Sequence, residues 1–157
     1  MSIAIGAIGC AEFAPLPRRV LLNPSESAPR GFYWLSDPSS YSAGDLIVAR
    51  LPGDVAALAD ERRYLPQSVP VLKRIAAERF DVVCESSGIV RINARIVAYT
   101  LPRDGRGRQL GVWNGCRSLA GDEYFLLGRS AASFDSRYFG PVRASALLGR
   151  AIPLWTW

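Results

Sequence analysis

The chain has 157 residues, 49% apolar and 21% charged, enough for one globular domain with a real core and too apolar for a disordered chain. It contains no histidine, which excludes a Ser-His-Asp triad and a Cys-His dyad, and its three cysteines, Cys10, Cys84 and Cys116, lie too far apart for a CxxC zinc site. The net charge of +5 comes from 18 arginines and one lysine spread along the chain without a dense basic block, so nucleic acid is not an expected partner, and with no GxxxxGK[ST] phosphate loop no metal or cofactor is expected either.

Fourteen glycines and 11 prolines point to many turns and a β-rich fold. Residues 3–14 are mostly apolar, but a membrane span needs about 20 such residues. The run also lacks the basic start of a signal peptide, because Arg18 and Arg19 come after it. The end of a membrane anchor, a degenerate signal segment and a buried strand remain open for it. A lipoprotein cleavage site at Cys10 is disfavoured by the missing basic start.

The domain opens on Asn23-Pro24-Ser25-Glu26-Ser27-Ala28-Pro29-Arg30-Gly31-Phe32-Tyr33, two serines followed by a proline-glycine turn. Tyr33-Trp34-Leu35 enters the core. Residues 46–51 read as a strand, and Pro52-Gly53 then introduces the one expected helix, with Asp54 as its cap, Val55, Ala56, Leu58 and Ala59 on one face, and Arg62 and Arg63 at its end. Residues 71–77 read as a strand whose alternation puts Lys73 on the face of Val71 and Ile75 and turns Arg74 the other way. Strands at 80–84 and 89–98 flank Ser86-Ser87-Gly88, a hairpin turn. Residues 103–109 form an exposed loop, 123–127 a buried strand, and 128–141 a long polar connection ending in aromatics. One or two strands in 142–157 follow.

Lys73 is the only lysine in a chain that otherwise uses arginine. Arginine keeps its proton, whereas a lysine among apolar neighbours can lose one, and Val69, Val71, Leu72, Ile75, Ala76 and Ala77 are such neighbours. A serine hydroxyl needs a base to become a nucleophile. Ser27 as nucleophile and Lys73 as base is the reading this pattern supports; an edge-strand lysine that keeps a sheet soluble is the alternative.

Four segments together resemble the S26 signal peptidase family, in particular its TraF-type branch, the maturation proteases of bacterial conjugation systems. These are Ser27-Ala-Pro-Arg-Gly-Phe-Tyr33 with the residues before it; Tyr64-Leu-Pro-Gln-Ser-Val-Pro-Val-Leu-Lys73-Arg-Ile-Ala; Leu119-Ala-Gly-Asp-Glu-Tyr-Phe-Leu-Leu-Gly128 with Ser133-Phe-Asp-Ser-Arg-Tyr-Phe-Gly-Pro141; and Gly149-Arg-Ala-Ile-Pro-Leu-Trp155. The resemblance implies a mainly β fold of coiled antiparallel sheets with one short helix after the second strand. It implies that Ser27 acylates and that Lys73 is the general base. Ser25 would assist the backbone N–H of Ser27 at the oxyanion, Ser133 would position the lysine, and Asp135 would pair with Arg137 and Arg74. The stretch Arg129-Ser-Ala-Ala132 departs from the family, which has more acidic and asparagine residues there.

The resemblance further implies that residues 20–157 are a serine peptidase catalytic domain and that residues 1–19 are the remnant of a membrane anchor or signal segment. The domain would sit on the periplasmic side of a bacterial inner membrane, where disulfides persist, making Cys84 and Cys116 a pair. The substrate would be the leader of an exported conjugation protein such as a pilin precursor, with hydrolysis and cyclisation both open. A general type I signal peptidase and a catalytically idle interaction module of a conjugation or secretion system are the alternatives. A self-cleaving Ser-Lys repressor is disfavoured, because only 26 residues precede Ser27.

Overall fold

A computed structural model of the protein describes residues 19–157. Cys10 and the apolar segment at 3–14 lie outside the described residues. In chain order the elements are β1 (Val20–Asn23), β2 (Gly31–Ser36), β3 (Leu46–Ala49), α1 (Gly53–Glu61), β4 (Val71–Ala77), β5 (Val82–Ser86), β6 (Ile89–Ile92), β7 (Arg95–Tyr99), β8 (Gly115–Ser118), β9 (Glu123–Leu127), α2 (Ser136–Phe139), β10 (Val142–Arg143), a 3-10 turn at Ala144–Ala146, and β11 (Leu147–Thr156). The fold is mainly β, as the sequence leads one to expect.

The strands form two sheets. The larger has seven strands in the order β1-β2-β11-β3-β4-β9-β10, and the smaller has four in the order β7-β6-β5-β8. Every named pairing is antiparallel. The large sheet buries Tyr33, Val48, Leu72 and Ala151 in one cluster and Ile47, Ile75, Leu126 and Val142 in another. Where it meets the small sheet, Ala77, Val83, Val90, Leu119 and Phe125 form a third, closed by Trp113. These positions are β-branched, aromatic or leucine for the most part, the types that fill a pleated, buried surface.

The position of β11 holds the two halves together. It pairs Arg150 with Ser36 and Thr156 with Gly31 on one side, and Leu147 with Ala49 on the other. Gly31 has φ +150 and lies against the backbone of Trp155 and Thr156, so a side chain there would collide with β11. On the outer face of β1, β2 and β11, Leu22, Phe32, Ile152, Leu154, Trp155 and Trp157 are left exposed. Phe32 and Trp157 stand edge to face at 6.1 Å, and Trp155 and Trp157 at 5.7 Å.

Several expectations are corrected. The helix follows three strands, because residues 20–23 pair with β2 as a further edge strand. Its N-cap is Pro52 and no side chain caps it; Asp54 lies inside the first turn, where its charge still complements the exposed N–H groups. Within 128–141 there is a second helix of one turn, α2, capped by the Asp135 carboxylate accepting from the Arg137 amide. The strand expected over 89–98 is two strands, because Asn93 and Ala94 adopt φ of 50° and 68° and turn the chain between β6 and β7. Asn93 holds that turn by accepting from the Val82 amide and donating to Asp81. The strand expected at 80–84 begins two residues later, since Phe80 has φ 69°. The turn at Ser87-Gly88 lies where the sequence puts it, with both residues at positive φ. Residues 115–118 form β8, which had no expected counterpart, and Cys116 on it is bonded to its cross-strand partner Cys84 on β5.

Candidate active site

The loop between β1 and β2 carries Ser27, and β4 carries Lys73. Alternation along β4 exposes Arg74 and buries Lys73, which is only 3% exposed. Its amine lies 3.0 Å from Ser27 Oγ and donates a hydrogen bond to Ser133 Oγ. The two serine hydroxyls are 3.5 Å apart. Ser27 is half-buried and lines an open cleft of about 590 Å³, which Lys73 and Ser133 also line, so its hydroxyl is reachable from outside beside a largely buried amine. Burial lowers the Lys73 pKa to about 8, with the nearby Asp135 carboxylate pulling it up and Arg137 pulling it down.

Asn23, at the end of β1, organises the serine loop and was not singled out from the sequence. Its side chain is buried and donates to the carbonyl oxygens of Ser25, Ala28 and Pro29 at 3.0, 3.2 and 3.1 Å. Its amide oxygen accepts from the backbone N–H and the hydroxyl of Ser25 at 3.2 and 2.8 Å. Tyr33 Oη donates to the Pro29 carbonyl, and the Arg129 amide donates to the Ser27 carbonyl. The loop is thus held from inside by Asn23 and tied outside to the chain following β9. Nothing in the local sequence distinguishes this asparagine from an ordinary turn residue. In this geometry the Ser25 hydroxyl proton points to Asn23.

Ser133 is positioned by a buried ion pair. Asp135 accepts from Arg137 through both carboxylate oxygens at 2.8 Å, and its second oxygen also accepts from the Gly128 amide at 2.8 Å. The Arg137 guanidinium then donates to the carbonyls of Tyr99, Ser130, Ala131 and Ser133. Ser136, also buried, accepts from the Leu126 amide. The loop between β9 and α2 is therefore wound around one guanidinium. Gly128 completes the arrangement, because a methyl group there would overlap Ser133 and lie 3.2 Å from Lys73 Nζ. Arg74 takes no part. It faces away from Asp135 and donates to the Gly44 carbonyl at the surface, because it occupies the opposite face of β4 from Lys73.

The described residues hold no group of His, Cys, Asp or Glu side chains able to ligate a metal. What the site can do is move a proton between a serine and a lysine. A buried amine with a pKa near 8 is unprotonated in a substantial fraction of molecules at neutral to mildly basic pH. It can then accept the Ser27 proton while still donating to Ser133. The residues the sequence singles out at 27, 73, 133, 135 and 137 are brought together here.

Comparison with known proteins places these residues in context. The family described as signal peptidase, peptidase S26, matches residues 3–156. The chain is 29% identical over 146 residues to a plasmid transfer protein TraF of Escherichia coli, covering 87% of this chain and 82% of that one. It is 30% identical over 169 residues to a probable conjugal transfer protein TraF of Sinorhizobium fredii (strain NBRC 101917 / NGR234), covering 98% and 84%. A solved signal peptidase I from Enterococcus faecalis V583 aligns with a TM-score of 0.43 at 16% identity, over 73% of this chain and 98% of that one.

Burying Lys73 has a stability consequence with a definite sign. Its folded pKa is about 8 against an ordinary value of 10.5. Between those values the unfolded chain binds a proton that the folded chain does not, so stability rises with pH from about 8 to about 10.5. Below that window the group destabilises the fold by about 3 kcal/mol. Lys73→Met, measured by urea unfolding, is expected to be more stable than the parent at pH 7, with the gap shrinking toward pH 10. A variant less stable than the parent at pH 7 would contradict the burial cost.

Proposed function

The chain belongs to the signal peptidase S26 family, and on that premise we propose that it is a serine endopeptidase in which Ser27 is the nucleophile and Lys73 the general base. Its substrate is the leader segment of an exported conjugation protein such as a pilin precursor. The observation that carries this reading is the approach of one buried amine to one accessible hydroxyl across 46 residues of sequence. The relatives described as TraF transfer proteins support the conjugation context.

The chemistry follows from the geometry. Neutral Lys73 takes the Ser27 proton as Oγ attacks the scissile carbonyl. The oxyanion is received by the backbone N–H of Ser27, with the Ser25 hydroxyl turning from Asn23 to assist. The Lys73 ammonium then protonates the leaving amine, and the acyl group stays on Ser27 as an ester. Water deprotonated by Lys73 releases a linear product. A free amine of the same chain would release a ring instead. Ser133 keeps the lysine aimed through both half-reactions.

Two further features support a site of action at a membrane surface on the periplasmic side. The Cys84–Cys116 disulfide suits an oxidising compartment. The exposed face bearing Phe32, Trp155 and Trp157 has the aromatic character of residues that sit at a lipid–water boundary. No helix among the described residues is long and apolar enough to cross a membrane.

Co-expression with a pilin precursor of a conjugation system, followed by intact mass of the pilin, tests the reading. Wild type should give a shortened product, and Ser27→Ala, Lys73→Ala and Lys73→Arg should each give none. A product lighter by one water than the linear form identifies cyclisation. Cleavage by Lys73→Arg would remove the general-base assignment, because arginine stays charged. The rate under kcat/KM conditions should rise with pH to a plateau above about pH 8, since only the unprotonated lysine is competent; a flat profile from pH 6 to 10 would argue against it. Paired Trp155→Ser and Trp157→Ser substitutions should weaken co-sedimentation of the domain with lipid vesicles and leave cleavage of a soluble peptide unchanged.

A further inference from the structure

The cleft that exposes Ser27 is mostly apolar, but four arginines, Arg62, Arg63, Arg106 and Arg108, line it together with a single carboxylate, Asp104. Asp104 is fully engaged. It accepts from the Tyr64 hydroxyl at 2.6 Å, from Arg108 Nε at 2.7 Å, and from the backbone amides of Arg106 and Arg108 at 2.9 Å each. The Tyr64 hydrogen bond above all holds its carboxyl well below the usual carboxylate range, so it stays an anion and neutralises one arginine.

The same contacts join two distant segments. Arg108 donates to the Arg62 carbonyl at 3.0 Å and stacks over the Tyr64 ring, and Arg62 donates to the Gln109 carbonyl at 2.8 Å. The end of α1 is thereby locked to the loop at 103–109. Tyr64 packs on Phe134 with ring centroids 5.3 Å apart, and Phe134 follows Ser133, whose hydroxyl touches Lys73. The arginine cluster is thus built into the same wall that positions the base.

Two of these guanidiniums are left without a partner among the described residues. Arg63 and Arg106 are exposed, line the cleft, and make no ion pair or side-chain hydrogen bond there. Arg63 moreover sits at φ 57°, a left-handed conformation that a residue with a side chain adopts at some cost, held by its amide donating to the Asp60 carbonyl. That geometry ends α1 and leaves the Arg63 side chain at the cleft.

We propose that Arg63 and Arg106 form a carboxylate-binding subsite of the cleft, which selects peptide substrates bearing an acidic side chain or a chain-terminal carboxylate at a short distance from the scissile bond. The inference rests on the peptidase reading of Ser27 and Lys73 and adds to it a preference that the dyad itself does not require. An apolar cleft holds a peptide of small residues with little directional selectivity, whereas two unpaired guanidiniums on its wall favour a negative charge and draw it in from solution.

Binding to the Ser27→Ala protein separates this from the parent reading. The probes are fluorescent hexapeptides of alanine and one glutamate, their glutamine counterparts, and each of these with a free or amidated C-terminus. The acidic peptides should bind about tenfold more tightly than neutral ones to the unsubstituted cleft, with the preference falling as salt is raised. Arg63→Gln together with Arg106→Gln should abolish the preference, while Arg95→Ala, at an exposed position outside the cleft, should not. Loss of affinity on Glu→Gln alone assigns the subsite to an acidic side chain, and loss on amidation alone assigns it to a chain terminus. Equal binding of acidic and neutral peptides overturns the inference, as does a preference that survives in the double variant. Cleavage of neutral peptides by wild type with unaltered efficiency would overturn the subsite and leave the dyad standing. If no peptide is bound or cleaved, the peptidase reading fails and the subsite with it.

Discussion

The site depends on the Asp135–Arg137 ion pair. Both residues are buried, at 0% and 3% exposure, a position charges occupy only when paired and fully hydrogen-bonded. Here the satisfaction is complete. The carboxylate caps α2 and receives the Gly128 amide, and the guanidinium reaches four backbone carbonyls. Removing one partner would leave an uncompensated charge beside Lys73, at a typical cost of about 3–5 kcal/mol. The pair does more than fix Ser133. Its two charges pull the lysine amine in opposite directions, so burial decides its proton affinity. A planar guanidinium is suited to the structural task, and a lysine, which can give up its proton, to the chemical one.

A second constraint is the price the fold accepts for that amine. Lys73 lies on a central strand, between β3 and β9, with Leu72 and Ile75 beside it. Below its folded pKa it is a charge held where charge is disfavoured. The surrounding packing offsets it: Ile47, Ala49, Ile75 and Leu126 are closed to solvent within 1%. The lysine thus sits on a strand whose neighbours are closed to solvent.

Much of this was legible in the sequence, for identifiable reasons. β4 and β9 have the bounds that apolar composition and flanking turns suggest, because both are central strands in which local preference and burial agree. A lone lysine among apolar residues draws attention to Lys73, and alternation alone separates the buried Lys73 from the exposed Arg74. The same rule shows why Arg74 could not join Asp135. Other features were hidden because they depend on partners far away. Asn23 acts through three carbonyls of its own loop, and no spacing pattern marks it. The break at Asn93-Ala94 interrupts an apolar run that has no glycine or proline. Asp54 matches the pattern of a helix cap, yet the cap position of α1 lies two residues earlier, at Pro52. The Tyr64–Asp104–Arg108 clamp joins an expected helix end to an expected loop, and only the folded chain brings them together.

The placement of β11 bears on how the protein comes into being. The serine loop feeds β2 and the lysine sits on β4, and between those strands the sheet holds β11 and β3. Residues 147–156 must therefore be inserted before serine and lysine can meet. Ser27 and Lys73 are synthesised well before this strand, and the Ser133–Arg137 segment that holds the amine only shortly before. Assembly of the candidate site is thereby tied to β11, and a chain stopped short of Leu147 would carry Ser27 and Lys73 without the sheet order that brings them together.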